Sequence, residues 1–223
     1  MKATLRERID QVEDRIQTAA HRSGRTRDQI TLVAVTKKFS AAVMCEAYSL
    51  GLRVFGENYV QEFAEKRPAL QGLTEAQFHL IGHLQSNKAR QATDVFGVIE
   101  TVDSPKLARR LDESGKPLEL MIEVKLSPEG TKAGAAPEEL PALIDAIRAC
   151  PNLRLTGLMT MPPWSDDPEV SRPYFRRLAE LARIHQLAKL SMGMSHDLEA
   201  AIEEGATHIR VGTALFGPRP KPA

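Results

Sequence analysis

Apolar and polar positions along the chain follow two periodicities in turn. Over residues 1–24 the apolar side chains recur at steps of three and four, which predicts an amphipathic helix that docks on the rest of the fold. Residues 31–36 form a short β-branched run without polar alternation, which is typical of a strand buried on both faces of a parallel sheet. A helical pattern follows over 40–50.

The same alternation of strand and helix patterns continues to the end of the chain. Further strand-like runs occupy 52–55, 78–81, 95–99, 118–124, 153–158, 189–192 and 208–211. Helical patterns lie between them, at 104–114, 137–150, 169–187 and 197–204. About eight βα units in series, without an all-β tract or a linker, predict a single closed (β/α)8 barrel over 1–223, with a tail at 218–223. An open doubly wound sheet is the alternative.

Charge and composition argue against several classes of function. The chain has 30 basic and 29 acidic residues and a formal net charge of +1, so we predict neither a nucleic acid nor a membrane as a partner. Cys45 and Cys150 are far apart, which argues against a disulfide scaffold and a structural zinc site. The charged N-terminus and the lack of a run of about 20 apolar residues predict a soluble, cytoplasmic protein.

Unusual polar residues fall just beyond the predicted strand ends, where a barrel of this kind builds its active site. Lys37 follows the apolar run 31–36, so its stem is expected to begin inside the barrel. Desolvation there would lower the pKa of the amine and make it nucleophilic towards an aldehyde. Lys38 is expected to point to the opposite side. A lone pair of lysines is more often solvated, so this interpretation depends on the other polar residues.

A phosphate site is predicted at the ends of the last two strands. Gly212 and Thr213 follow the strand at 208–211 and can open a short helix, so that their amides point at an anion. Ser191 and Gly193 supply a hydroxyl and a second glycine from the neighbouring strand. Each turn alone is a weak signal, but two such loops beside a strand-end lysine make a stronger case.

Two histidines raise the alternative of a metal site. His79 and His83 have the i, i+4 spacing of zinc-binding helices, yet their segment has a strand pattern that leads into Gly82. In an extended chain, at roughly 3.3 Å per residue, the rings would lie about 13 Å apart, too far for one zinc ion. We therefore predict no metal site. His79 is interpreted as a barrel residue, while His83 is open between a structural role and a site role.

Six motifs run in order over nearly the whole chain. They are LVAVTKK (32–38), FGENYVQE (55–62), HLIGHLQSNK (79–88), GLMT (157–160), LSMGMS (190–195) with Asp197, and RVGTALFG (210–217). In these motifs the chain resembles the pyridoxal phosphate homeostasis proteins, which are related to the N-terminal barrel of the alanine racemases. The family belongs to the fold-type III pyridoxal phosphate proteins and lacks the C-terminal β-domain of the racemases.

The resemblance implies pyridoxal 5′-phosphate (PLP) as the cofactor, held as a Schiff base on Lys37. Arg210 would face the pyridine nitrogen or the adjoining phosphate oxygens. The residues predicted to bind the cofactor are Lys37, Asn58, His83, Ser191, Gly193, Arg210, Gly212 and Thr213. Lys125, Leu126 and Pro128 depart from the more polar loop expected of the family, which leaves the role of the loop after the fifth strand in doubt.

Two functions are compatible with this site: a carrier that stores or delivers PLP, and a PLP-dependent amino-acid racemase. Racemisation needs an acid/base on each face of the carbanion. In the racemases the second base is a tyrosine of the partner's C-terminal domain, which this sequence does not contain. An arginine at the pyridine nitrogen would also keep that nitrogen unprotonated and weaken the electron sink. We therefore predict a monomeric, non-catalytic PLP carrier whose partners include PLP-requiring apoenzymes.

Overall fold

The computed structural model describes residues 3–127 and 133–218. The prediction for Pro128 and the rest of its loop up to 132, and that for the tail beyond 218, lie outside the described residues.

Eight parallel strands in the described ranges close into a barrel in the order of the sequence. They are β1 (Thr31–Val35), β2 (Val54–Glu57), β3 (Gln77–Leu80), β4 (Val98–Val102), β5 (Leu118–Glu123), β6 (Leu153–Met159), β7 (Lys189–Met194) and β8 (His208–Val211). The barrel closes where β8 pairs with β1, with Arg210 opposite Val33. The predicted closed barrel is confirmed, and the open doubly wound sheet is wrong.

Helices surround this barrel. Those in the described part of the chain are α1 (Leu5–Arg22), α2 (Ala41–Ser49), α3 (Val60–Lys66), α4 (Ala89–Val95), α5 (Pro105–Asp112), α6 (Leu140–Arg148), α7 (Arg172–Ile184), α8 (Leu198–Glu203) and α9 (Thr213–Phe216). A capping box starts α1, because the Thr4 side chain accepts from the Glu7 N–H while the Glu7 carboxylate accepts from the Thr4 N–H at 2.7 Å. The buried stripe of α1 packs on α8 and α9. No helix in 3–127 or 133–218 has the length and apolar character needed to cross a bilayer.

Side chains of the strands alternate between the helix layer and the barrel interior. Leu32, Ala34 and Phe55 belong to the large apolar cluster between the sheet and the helices. Val33 and Val35 are also buried but stand apart from that cluster, because they point into the barrel. This alternation decides which residues reach the mouth of the barrel.

Two strands, β2 and β4, both begin and end two or three residues later than the sequence predicts. β4 starts at Val98, and Val95 is the last residue of α4, with Gly97 between the two elements. Periodicity cannot separate the apolar end of a helix from the start of a strand when both are short. β2 extends to Glu57, since Gly56 and Glu57 both continue the ladder with β3.

Candidate functional site

A cavity of about 570 Å³ opens at the mouth of the barrel, within the size range of small-molecule sites. Five of the eight predicted residues lie on its wall: Lys37, Asn58, Arg210, Gly212 and Thr213. A separate cavity of about 780 Å³ lies at the opposite end of the strands and contains none of the predicted residues. The structure therefore gathers most of the predicted set in one place.

Lys37 reaches this cavity from a tight turn at the end of β1. The turn is closed by the Phe39 N–H, which donates to the Thr36 carbonyl at 3.0 Å. Lys37 continues the inward alternation of Val35, and it lines the cavity while half-buried. Lys38 has a φ of +66° and an exposed side chain. The two lysines thus point in different directions.

Arg210 is fully buried on the cavity wall and is held by groups of the barrel interior. Its guanidinium donates to the Ser191 hydroxyl at 2.6 Å and to the Thr160 carbonyl at 2.9 Å. The Ser191 hydroxyl in turn donates to Glu100, whose second oxygen lies 2.7 Å from His79 Nδ1. A guanidinium fixed in this way presents a permanent positive charge to the cavity.

Glu100 provides the negative charge beneath this site. Burial alone would raise its pKa, but the hydrogen bond with His79 and the charges of His79 and Arg210 hold the pKa at about 2. The carboxylate is therefore ionised at neutral pH. Nearby, burial lowers the pKa of His208 to about 4, so that this imidazole is neutral at pH 7. Sequence reasoning missed Glu100, although a glutamate inside the apolar run of β4 is itself a signal, because buried carboxylates need partners.

Ser191 and Gly193 do not reach the cavity. The pairing of β7 with β8 shifts register, so that Ser191 lies opposite His208, one level below Arg210 inside the barrel. Gly193 has a φ of +88°, and an added Cβ would come within 2.4 Å of the Ala201 Cβ. Its missing side chain thus lets α8 pack on β7, and does not open the cavity.

Ser195 stands on the cavity wall in the position predicted for Ser191. Its hydroxyl accepts from the Ala214 N–H at 3.2 Å, which ties the end of β7 to the first turn of α9. The register shift in β7 is the reason, because it carries the strand to Met194 and places the next residue at the mouth. The structure thus places Ser195 on the cavity wall and the predicted Ser191 below it, inside the barrel.

The turn at Gly212 joins β8 to α9. An added Cβ at Gly212 would lie 3.4 Å from the Val35 Cβ, so packing within the protein does not demand a glycine. The missing side chain instead leaves room in the cavity beside the first amides of α9. Such amides have no acceptor within their own helix. The turn is therefore shaped for the close approach of an anion.

Asn58 and His83 have different placements. The Oδ1 of Asn58 is buried on the cavity wall and has no hydrogen-bond partner among the described residues. Gly82 makes this position possible, since an added Cβ would come within 2.3 Å of the Asn58 carbonyl oxygen. The side chain of His83 is 53% exposed, 3.7 Å from Asp103, and lines a neighbouring cavity of about 1000 Å³. His83 thus lies beside the cavity that holds Lys37.

The rim contains residues that sequence reasoning did not select. Trp164 is 70% exposed and packs against His196, with ring centroids 5.0 Å apart. The His196 Nε2 lies 2.8 Å from the Asp166 carbonyl oxygen. Trp164 stands in the proline-rich segment after β6. Over 3–127 and 133–218 no group of three or more His, Cys, Asp or Glu side chains is arranged to hold a metal ion.

Known proteins match this chain over nearly its full length. The family described as "Alanine racemase, N-terminal domain" matches residues 8–220. A Pseudomonas aeruginosa protein named "Pyridoxal phosphate homeostasis protein" is 45% identical over 223 residues, which cover 97% of this chain and 96% of that protein. The protein of the same name from Escherichia coli K12 is 42% identical over 222 residues, covering 95% of both.

Solved structures give the same match in three dimensions. PipY of Synechococcus elongatus, in its structure with PLP bound, is 39% identical and has a TM-score of 0.83, covering 96% of this chain and 100% of that one. The alanine racemase of Corynebacterium glutamicum is 21% identical and has a TM-score of 0.69, covering 95% of this chain and 61% of that one. The likeness to the racemase concerns the barrel alone.

Proposed function

Since this chain belongs to the family of the pyridoxal phosphate homeostasis proteins, we propose that it holds PLP at the mouth of its barrel and maintains the supply of that cofactor without efficient catalysis. The observation that carries the proposal is the convergence of Lys37, Arg210 and the Gly212 turn on one cavity. An amine, a fixed cation and an anion-binding turn match the aldehyde, the ring and the phosphate of PLP. A monomeric state and a cytoplasmic location stay predictions.

Each part of the cavity wall suits one part of PLP. The Gly212 turn leaves space beside backbone amides, and the hydroxyls of Thr213 and Ser195 stand on the same wall, so these residues would hold the phosphate. Among the described residues no donor reaches the buried Oδ1 of Asn58, which would lie near the ring. The amine of Lys37 would bind the aldehyde carbon. Ser195 replaces Ser191 in this assignment.

Arg210 favours a carrier over an enzyme. PLP supplies an aldehyde carbon that binds amines and a ring that can draw electrons from them. A guanidinium keeps its protons at all physiological pH values, so it would leave the ring nitrogen unprotonated. The hydrogen bonds from Arg210 to Ser191 and to the Thr160 carbonyl hold it in place. The cavity would therefore bind the cofactor firmly but activate a bound amino acid poorly.

Racemisation is the second candidate function, and His196 is the observation in its favour. Lys37 can serve one face of a bound amino acid, and His196 is an imidazole on the same cavity wall. If its Nε2 donates to the Asp166 carbonyl, its Nδ1 is the basic atom. An acid/base on the second face would be worth about 10² to 10⁴ in rate.

Two assays on the PLP-loaded protein separate these functions. Incubation of the loaded protein with a PLP-requiring apoenzyme should restore that enzyme's activity. The control variant Lys106→Ala, which changes an exposed lysine, should restore it to the same extent as the wild type. Exchange of the α-proton of L-amino acids into deuterated water should stay at the rate of free PLP. Exchange over many turnovers per second, lost in both Lys37→Ala and His196→Ala, would make the protein a racemase and overturn the proposal.

A further inference from the structure

A cluster of polar and charged side chains lies on the helix side of the barrel at the C-terminal ends of β1 and β2, directly behind the turn that carries Lys37. Thr36 and Glu57 point away from the barrel interior into the helix layer, and both are fully buried. Helix α3 brings Glu62 and Lys66, which are one helical turn apart, to the same place. The cluster thus lies outside the cavity but contacts the backbone on either side of Lys37, whose amine lines the cavity.

Lys66 is the centre of this cluster. Its Nζ lies 2.9 Å from Glu57 Oε1 and 2.6 Å from Glu62 Oε1, and it donates to the Thr36 carbonyl at 3.1 Å. The Thr36 hydroxyl donates to Glu57 at 2.8 Å. The Lys38 N–H donates to Glu62 Oε1 at 2.6 Å. One ion-pair network therefore holds the backbone on both sides of Lys37.

The network has a structural reason to act on the turn. Lys38 adopts the left-handed region at φ +66°, which disfavours residues other than glycine. The hydrogen bond from its N–H to Glu62 offsets that preference. The Lys66 side chain is only 11% exposed, so solvent screens its ion pairs weakly. Burial raises the pKa of Glu57, and the Lys66 charge opposes that rise.

We propose that Glu62 and Lys66 are positioning residues for Lys37: they fix the turn so that its amine meets the aldehyde carbon of PLP. This inference rests on the proposed function. In the step concerned, the Lys37 amine forms a C=N bond with that carbon, and the aldehyde oxygen leaves as water with the two protons of the amine. Neither positioning residue touches the cavity, so they act on this step and not on the non-covalent binding of the ligand.

The test compares PLP with pyridoxine 5′-phosphate, which carries an alcohol in place of the aldehyde and cannot form the C=N bond. Calorimetry gives the affinity for the alcohol, and stopped-flow absorbance gives the rate of C=N formation with PLP. Glu62→Ala and Lys66→Met should keep the affinity for the alcohol and lose about tenfold or more in rate, since each removes charge-assisted hydrogen bonds. Glu62→Gln keeps an acceptor for the Lys38 N–H and should recover part of the rate. Glu65→Ala, exposed on the same helix, is the matched control.

Three outcomes would count against the inference. Variants that form the C=N bond as fast as the wild type would refute it and leave the proposed function intact. A parallel loss of affinity for the alcohol would also refute it, because it would show general damage to the cavity. If Lys66→Met does not fold, the two variants of the partly exposed Glu62 still provide the rate of C=N formation and the affinity for the alcohol. A wild type that binds both ligands without C=N absorbance would refute the proposed function and the inference together.

Discussion

Removal of the charge on Glu100 should destabilise the barrel in a way that depends on pH. Glu100 is fully buried beneath Arg210, and its pKa is lowered from 4.5 to about 2. A tenfold change in proton affinity is worth about 1.4 kcal/mol, so this lowering corresponds to roughly 3 kcal/mol of stability at pH 7. Loss of one partner of a buried ion pair costs a similar amount, about 3 to 5 kcal/mol. Glu100→Gln should therefore lower the free energy of unfolding by about 3 kcal/mol at pH 7.

The sign of the pH dependence follows from the lowered pKa. The contribution of Glu100 is complete above pH 4.5 and is lost as the pH falls towards about 2, because over this range the unfolded chain takes up a proton that the folded protein does not yet bind. Urea denaturation of the cofactor-free wild type and Glu100→Gln should show a gap that shrinks to about half at pH 3. Glu65→Gln, on the exposed face of α3, should show no such gap. Equal stabilities at pH 7, or a gap that does not shrink in acid, would refute the reasoning.

Three further predictions concern the glycines and serines near the site. Gly212→Ala should lower the affinity for PLP by about tenfold or more, since the added methyl group fills the space beside the amides. In the same titration the affinity for pyridoxal, which lacks the phosphate, should hardly change. Gly193→Ala should cost about 1 to 3 kcal/mol in denaturation experiments without changing PLP affinity, because its Cβ meets Ala201. Ser195→Ala should lower the affinity for PLP, whereas Ser191→Ala should mainly lower the free energy of unfolding. The reverse pattern would contradict the site geometry.

The closed barrel and the position of Lys37 could be predicted because both depend on local periodicity. Strands buried on both faces read as apolar runs, and the alternation within β1 decides that Lys37 points inward while Thr36 points outward. The pairing of β8 with β1 then brings Gly212 and Lys37 to the same cavity. Both conclusions require only the order of the strands and the alternation of side chains between the two faces of each strand.

The remaining parts of the site depend on long-range structure. The register shift between β7 and β8 moves Ser191 below the cavity and brings Ser195 to its wall, and no local pattern marks that shift. The partners of Glu100 lie on β3, β7 and β8, so the sequence shows the glutamate but not its contacts. The network around Lys66 likewise joins residues from β2, from the turn after β1 and from α3.

We propose that this cavity holds PLP as a Schiff base on Lys37. The most direct measurement is borohydride reduction of the purified, PLP-loaded protein, followed by peptide mapping of the pyridoxyl group. We expect a visible absorbance band that disappears on reduction, a pyridoxyl group on Lys37, and no band in Lys37→Ala. A band that survives in Lys37→Ala, with the label on Lys38 or Lys88, would contradict it.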